Sequence, residues 1–274
     1  TKECAQCHSP SVQGKEHEID LRAHLEWSAK NISERLPEPV KGVKGLISDE
    51  KKAEPIEKAI LRAKHDLHVF RDGTSRFELL NAPLTHFYPQ ELGLSAEQAR
   101  ALGYSTDAEG KPLVSDTQMC EMFVQDIVVN ETCGDWLLRC AKYTDDLLTK
   151  FYKLPAHYNC KTTQDMIGKL VIGLAPHTSA GIVARVIGYS KARVGWGHPY
   201  FIMCKRRNVD GDQDSVMLLM DALLNFSHSF LSHSRGGRMD APLVFTLALN
   251  PQEIDDEVYE METVSRYPIS LYEK

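Results

Sequence analysis

Residues 205–214 read KRRNVDGDQD, which places Asp210, Asp212 and Asp214 at alternate positions directly behind Lys205, Arg206 and Arg207. Three carboxylates packed this closely repel one another unless a cation sits among them. Gly211 lets the backbone turn sharply between the first two acids. A hard divalent cation such as Mg²⁺ or Mn²⁺ takes carboxylate oxygens, keeps several waters and shares its shell with substrate phosphates. Acids for a metal beside bases for phosphates suit phosphoryl or nucleotidyl transfer. A solvated charged loop is the bland reading of the same residues. A calcium-binding EF-hand is excluded by register: counted from Asn208, positions 6 and 12 are Gln213 and Leu219, and counted from Asp210 they are Ser215 and Asp221.

The flanks argue for a mounted loop. His198 to Cys204 is a short apolar run and predicts a strand. From Ser215, the apolar residues Val216, Leu219, Met220, Leu223, Phe226 and Phe230 recur at helical spacing and predict an amphipathic helix. Strand, acidic loop and helix together make a rigid support for a site.

The combination of HPYF, KRRNVDGDQD, LLMDALLNFS and RGGRMDAPLV, in that order, resembles the large, catalytic subunit of the archaeal family-D DNA polymerases. The likeness extends to the segments from Val40 to Ser48, Pro83 to Phe87, Ala141 to Pro155 and Gly173 to Tyr189, so it covers most of the chain. It implies an α+β fold built on a double-psi β-barrel of the two-barrel polymerase type, with surrounding helices and an N-terminal half zinc ribbon. In the family, the Asn-x-Asp-Gly-Asp loop lies on the second barrel and holds the catalytic metal. The resemblance therefore implies that Asp210 and Asp212 hold Mg²⁺ or Mn²⁺ and that Asn208 orients a water or ligand. It further implies that Lys205, Arg206, Arg207 and His177 face primer, triphosphate or DNA phosphates, while Asp214 supports the site from behind. The implied partners are a DNA primer-template and dNTPs, the small subunit that carries the 3′–5′ exonuclease, and the upstream part of the large subunit with the first barrel. A sliding clamp is expected to engage a motif beyond residue 274. The implied location is the cytoplasm of an archaeal cell, at the nucleoid.

The chain has 274 residues, enough for one large or two modest domains, and its hydrophobic content of 42% and charged content of 26% are ordinary for a soluble protein. A net charge of −6 means that any nucleic-acid surface must concentrate its basic residues locally or share them with a partner. No apolar run of 18 residues and no signal-peptide pattern is present, which predicts a protein without a membrane partner. Residues 1–15 carry Cys4 and Cys7, half of a four-ligand Zn²⁺ site, and the resemblance puts the other half upstream. Cys4, Cys7 and His8 also spell a haem-attachment motif, but haem needs an export-competent context and further axial ligands. The other five cysteines are scattered and read as buried small hydrophobes.

Residues 16–160 read as a mixed connecting region and 161–274 as the barrel region, with the barrel in roughly 165–250. Within the first, 18–36 predicts a helix capped by Asp20 and ended by Pro37 and Pro39. Lys41 and Lys44, interleaved with glycines, read as a turn or as a phosphate-contacting loop. Residues 54–65 predict a helix with Pro55 in its first turn. Asp72-Gly73 between apolar runs predicts a β-hairpin over 65–80. Ser95 and Gln98 spell a capping box for a helix over 90–103. Residues 122–129 predict a strand, and 132–152 a long helix whose Asp145 and Asp146 read as an exposed face. His86 reads as structural. Residues 162–171 predict a short helix, followed by strands on either side of a turn at 176–181. Ser179 beside His177 lacks the nucleophile-elbow pattern of a hydrolase. Arg235 to Ala248 predicts a glycine turn, with Asp240 as a turn acid, and then a strand.

The function implied by the resemblance is that of a DNA-directed DNA polymerase catalytic subunit, templated nucleotidyl transfer releasing pyrophosphate, with this chain alone an incomplete part of the centre. A degenerate polymerase fragment is one alternative, and two more come from other classes. A non-catalytic zinc-containing DNA-binding module needs the basic residues without the Asp pair. A metal-dependent hydrolase keeps the Asp pair and releases no pyrophosphate.

Overall fold

The fold is taken from a computed structural model that describes residues 3–8, 18–43, 54–231, 233–250 and a few later positions. Lys44 lies outside the described residues. The elements run in order α1 (Leu21–Asn31), α2 (Ile56–Lys64), β1 (Phe77–Pro83), β2 (His86–Phe87), α3 (Ala96–Ala101), β3 (Cys120–Glu121), β4 (Asp126–Asn130), α4 (Glu131–Asp146), β5 (Leu170–Leu174), β6 (Ala180–Ser190), β7 (Val194–Gly197), α5 (Pro199–Cys204), β8 (Gln213–Leu218), α6 (Leu219–Asn225) and β9 (Val244–Thr246).

Six strands close into a ring, β4-β7-β1-β8-β5-β6, because β4 also pairs with β6. Two pairings are parallel, β1 with β7 and β4 with β6, and the other four are antiparallel. Exchanging β1 with β6, β4 with β7 and β5 with β8 maps the ring onto itself, the pseudo-twofold strand order of a double-psi barrel. Closure removes the ring's free edges; β9 adds outside it, parallel to β6. The ring draws β1 and β4 from the stretch before residue 161. The small β2–β3 ribbon and α3 pack a second hydrophobic cluster against Val128 and Ile187 of the ring.

The closing seam is pinned chemically. Asp126 stands opposite Arg185 in the β4–β6 register. Arg185 donates to both carboxylate oxygens, from Nε at 2.8 Å and Nη2 at 2.7 Å. Tyr104 Oη donates to the same carboxylate at 2.5 Å, which ties the α3 region to the seam. Burial of Tyr104 and the neighbouring Asp126 charge both hold its phenol well above the ordinary tyrosine range.

Long, strongly periodic helices form as their patterns predict. Helix α4 starts on Asn130, whose side chain accepts from Cys133 N–H at 2.6 Å, and it buries Trp136, Leu137, Cys140 and Tyr143. Each such side chain is worth about 1.5–3 kcal/mol of burial. Asp20 caps α1 by accepting from Ala23 N–H at 2.9 Å. The Ser95–Gln98 capping box is complete. Asp145 and Asp146 do structural work. Asp145 accepts from the N–H groups of His157, Tyr158 and Asn159, and Asp146 binds Lys64, His65 and Lys150.

Four expectations need correction. Residues 198–204 form α5 and not a strand: Pro199 presets the first turn, and His198 Nδ1 accepts from Tyr200 N–H at 3.1 Å. Residues 213–218 form strand β8, inserted between β1 and β5, and the following helix starts only at Leu219. Ser215 to Leu218 are all buried, so no alternation exists to mark the strand. The Asp72-Gly73 turn is real, with Gly73 N–H donating to Phe70 O at 2.9 Å, but no hairpin forms because β1 pairs with β7 and β8. The predicted 162–171 helix is one 3₁₀ turn, Thr163–Met166; Gly168 adopts φ 84° and its N–H donates to Val186 O at 2.8 Å.

Beneath α6 lies a buried polar cluster. Asp221 accepts from Ser75 N–H at 2.8 Å and Asn225 Nδ2 at 2.9 Å, and nearby Arg62 pairs with Glu54 at 2.5 Å. Burial lifts the Asp221 carboxyl from the ordinary aspartate value to about 6, against the opposing Ser75 hydrogen bond and Arg62 charge.

Two outcomes follow from these contacts. Asp126→Ala leaves Arg185 and Tyr104 facing each other without their shared acceptor and is expected to cost about 3–5 kcal/mol in denaturant unfolding. Asp221 has a raised folded-state value, so its protonation favours folding fully below about pH 4, and this contribution is lost as pH rises through about 6. Wild type should therefore gain about 2 kcal/mol relative to Asp221→Asn between about pH 7.5 and about pH 4.5.

Candidate metal loop at one end of the barrel

The acidic loop hangs between the end of α5 and the start of β8. Its path is set by backbone contacts: Asn81 N–H on β1 donates to Asp212 O at 3.0 Å, and Arg206 N–H donates to Met203 O at 2.8 Å. Arg206 takes φ 57° and Gly211 φ 99°, the two left-handed turns that reverse the chain. Asn208 and Asp210 are exposed, and Asp212 is half-buried. Asn208 N–H donates to Asp212 Oδ2 at 3.3 Å, and Arg207 Nη1 stands 3.8 Å from the same oxygen.

Lys205 and Asp214 occupy a different place from their neighbours. Their side chains are 2% and 3% exposed and form a direct ion pair. Alternate residues of four adjacent strands, Leu79 and Asn81, Ile127 and Val129, Gly195 and Gly197, Asp214 and Val216, face one space with Phe201 and Lys205 of the α5 end. That convergence identifies the space as the barrel lumen. The Lys205 ammonium lies 4.1 Å from the Phe201 ring centroid, and burial pulls its pKa down to about 7. Lys205 therefore does not reach the surface where a phosphate would bind. Ser215 N–H donates to Asp214 Oδ1 at 2.9 Å, so this carboxylate is turned inward, away from the exposed acids.

The turn at 176–181 is brought to the same end of the barrel, because Leu174 at the end of β5 pairs with Ser215 at the start of β8. His177 is exposed there at φ 62°, and its N–H donates to Asp240, which also pairs with Arg71. Asp240 is thus a tie between three segments. Lys41 is held by Asp66 at 2.5 Å, where Arg139 also binds. Cys4 and Cys7 are exposed thiols on a turn closed by His8 N–H donating to Cys4 O at 3.0 Å. Among the described residues no three His, Cys, Asp or Glu side chains converge on one point. Asp210 and Asp212 are nonetheless a donor set suited to Mg²⁺, which is usually held by one or two carboxylates with substrate phosphates completing its shell.

Residues 33–274 match the family described as the DNA polymerase II large subunit DP2, catalytic domain. The chain belongs to that family. It is 52% identical over 270 residues to the DNA polymerase II large subunit of Pyrococcus furiosus, covering 98% of this chain and 21% of that protein. The proteins of the same name from Methanocella arvoryzae and Methanothermobacter thermautotrophicus are each 50% identical over 271 and 273 residues, covering 98% and 99% of this chain and 24% and 25% of theirs. The chain thus spans about a quarter of the length of these large-subunit relatives.

One residue of this catalytic-domain end escaped the sequence reading. Asn81 is 3% exposed, and its amide faces the lumen without a protein partner. The visible signal was an asparagine directly behind two leucines in FELLNAP.

The two glycines near the site differ in a measurable way. A Cβ at Gly211 meets nothing within 4 Å, so Gly211→Ala is expected to cost only backbone strain, about 1 kcal/mol. A Cβ at Gly173 would lie 2.9 Å from Phe201 Cζ and 3.3 Å from Lys205 Cδ. Gly173→Ala is therefore expected to cost more, about 1–3 kcal/mol, in parallel unfolding titrations.

Proposed function

We propose that this chain supplies the metal-holding barrel of a DNA-directed DNA polymerase active centre, acting on a primer-template and dNTPs. The observation that carries the reading is the pair of accessible carboxylates, Asp210 and Asp212, on a loop fixed at both ends to a closed barrel. Membership of the large-subunit catalytic-domain family supports it. Asp210 and Asp212 would hold Mg²⁺ or Mn²⁺. Such an ion, when bound, lowers the pKa of the primer 3′-hydroxyl, orients the α-phosphate and offsets charge as pyrophosphate leaves.

The chain's own groups divide the remaining work. Asn208 brings a neutral amide to a position where a third carboxylate would add charge, and its N–H helps to fix Asp212. Arg206, which is exposed, and Arg207, which lies against Asp212, would take triphosphate or backbone phosphates. His177 presents an exposed imidazole at the same barrel end. Lys41 would contact DNA backbone, exchanging Asp66 for a phosphate, and the same role is proposed for Lys44 from its sequence position alone. Cys4 and Cys7 would contribute two thiolates to a Zn²⁺ site completed by other parts of the large subunit. The upstream part of that subunit would supply the first barrel, the small subunit the 3′–5′ exonuclease, and a sliding clamp the hold on DNA. The working location would be the archaeal cytoplasm at the nucleoid. Among the described residues no helix is long and apolar enough to cross a membrane.

The test is primer extension by the complete large subunit with its small subunit. Asp210→Ala and Asp212→Ala are each expected to reduce extension by several orders of magnitude while leaving salt-dependent DNA binding in place. Intact synthesis in either variant would sink the reading, as would metal-dependent release of phosphate from simple esters with no pyrophosphate formed.

A further inference from the structure

The acidic loop begins and ends on two buried charges. Lys205 closes α5, Asp214 is the second residue of β8, and their side chains meet in the lumen beneath the exposed acids. Among the described residues nothing else charged lines that space; its other walls are apolar side chains such as Leu79, Ile127, Val129 and Phe201, with glycine backbone and the Asn81 amide. An ion pair in such surroundings is a poor source of stability, because desolvation offsets most of its attraction. What it does provide is a fixed direction and length between the two chain segments that carry it.

Three features of the barrel are arranged around this pair. Gly173 leaves room for the Lys205 stem, since any Cβ there would crowd Lys205 Cδ and Nζ at 3.3 and 3.4 Å. The Phe201 ring lies against the ammonium at 4.1 Å from its centroid. Asn81 holds Asp212 from below through its N–H at 3.0 Å and turns its side chain into the same small cavity, of about 20 Å³, which has room for one water.

We propose that Lys205 and Asp214 are positioning residues. Their ion pair joins the two ends of the loop inside the barrel and so sets the spacing at which Asp210 and Asp212 meet a divalent cation. This rests on the reading of Asp210 and Asp212 as metal carboxylates. It moves Lys205 from the phosphate-facing surface to the foundation of the loop. A purely structural ion pair would affect stability alone, whereas a positioning pair changes how much metal is needed.

The test uses the complete large subunit with its small subunit and reads two quantities, the half-saturating Mg²⁺ for primer extension and Mn²⁺ binding by electron paramagnetic resonance. The double variant Lys205→Met/Asp214→Leu replaces the pair by apolar side chains of similar size, which cores of this kind tolerate. It is expected to melt close to wild type, to need about tenfold more Mg²⁺, and to recover extension as Mg²⁺ is raised. Asp214→Asn keeps a hydrogen bond to Lys205 and should shift the requirement by about threefold. A folded double variant with the wild-type Mg²⁺ requirement and Mn²⁺ affinity overturns the proposal. If the double variant does not fold, Asp214→Asn decides in the same way. Asp210→Ala and Asp212→Ala are run alongside. If they leave Mn²⁺ binding unchanged, it is the metal-carboxylate reading that fails, and the positioning role falls with it.

Discussion

The seam between β4 and β6 is the constraint on which this molecule rests. Without that pairing the six strands are an open sheet with two exposed edges, and the lumen is a groove. With it, alternate side chains of neighbouring strands are forced inward together. The pairing is parallel, so no tight turn can make it, and the chain spends 39 residues, the whole of α4 among them, between β4 and β5 before β6 can close the ring. The Asp126–Arg185–Tyr104 triad sits on this seam, where a displaced register would leave three polar groups buried without partners.

From closure comes the character of the loop end. A flexible acidic loop on an open sheet would rearrange to separate its charges. Here its first residue is anchored by α5, its last is part of a strand buried on both sides, and its middle is held to β1 by the Asn81–Asp212 hydrogen bond. The remaining freedom lies in the span from Arg206 to Gly211, where two left-handed residues set the turn. Rigidity at the ends and exposure at the centre are what a carboxylate pair needs to meet a cation without first reorganising.

How much of this was legible follows from what each pattern reports. The capping box at Ser95, the Asp20 cap and the amphipathic stripe of α4 are local devices, written in residues three or four apart, and the chain obeys them. The acidic loop was visible because clustered like charge is rare without a reason. Strand β8 and helix α5 escape the pattern because both are largely buried, and a segment without an exposed polar face does not betray its period. The ring's order was invisible for a different reason: each of its neighbours is chosen by residues far away in sequence. Lys205 and Asp214 show the same limit at the level of a side chain. In the sequence they belong to a run of surface charges, and only the register of β8 and the end of α5 turns them inward.

The pseudo-twofold order of the ring has one more implication. Under the exchange that maps β4 onto β7 and β5 onto β8, the connection holding α4 is the counterpart of the connection holding α5 and the acidic loop. Both begin the same way, with a strand running straight into a helix whose cap is a side chain of the residue before it, Asn130 in one and His198 in the other. One connection holds a long helix that fills the main core; the other is short, turning Lys205 inward and leaving Arg206 and Asp210 in solvent. A pseudo-twofold barrel offers the same slot twice. In this chain one copy is a long buried helix and the other a short helix followed by an acidic turn.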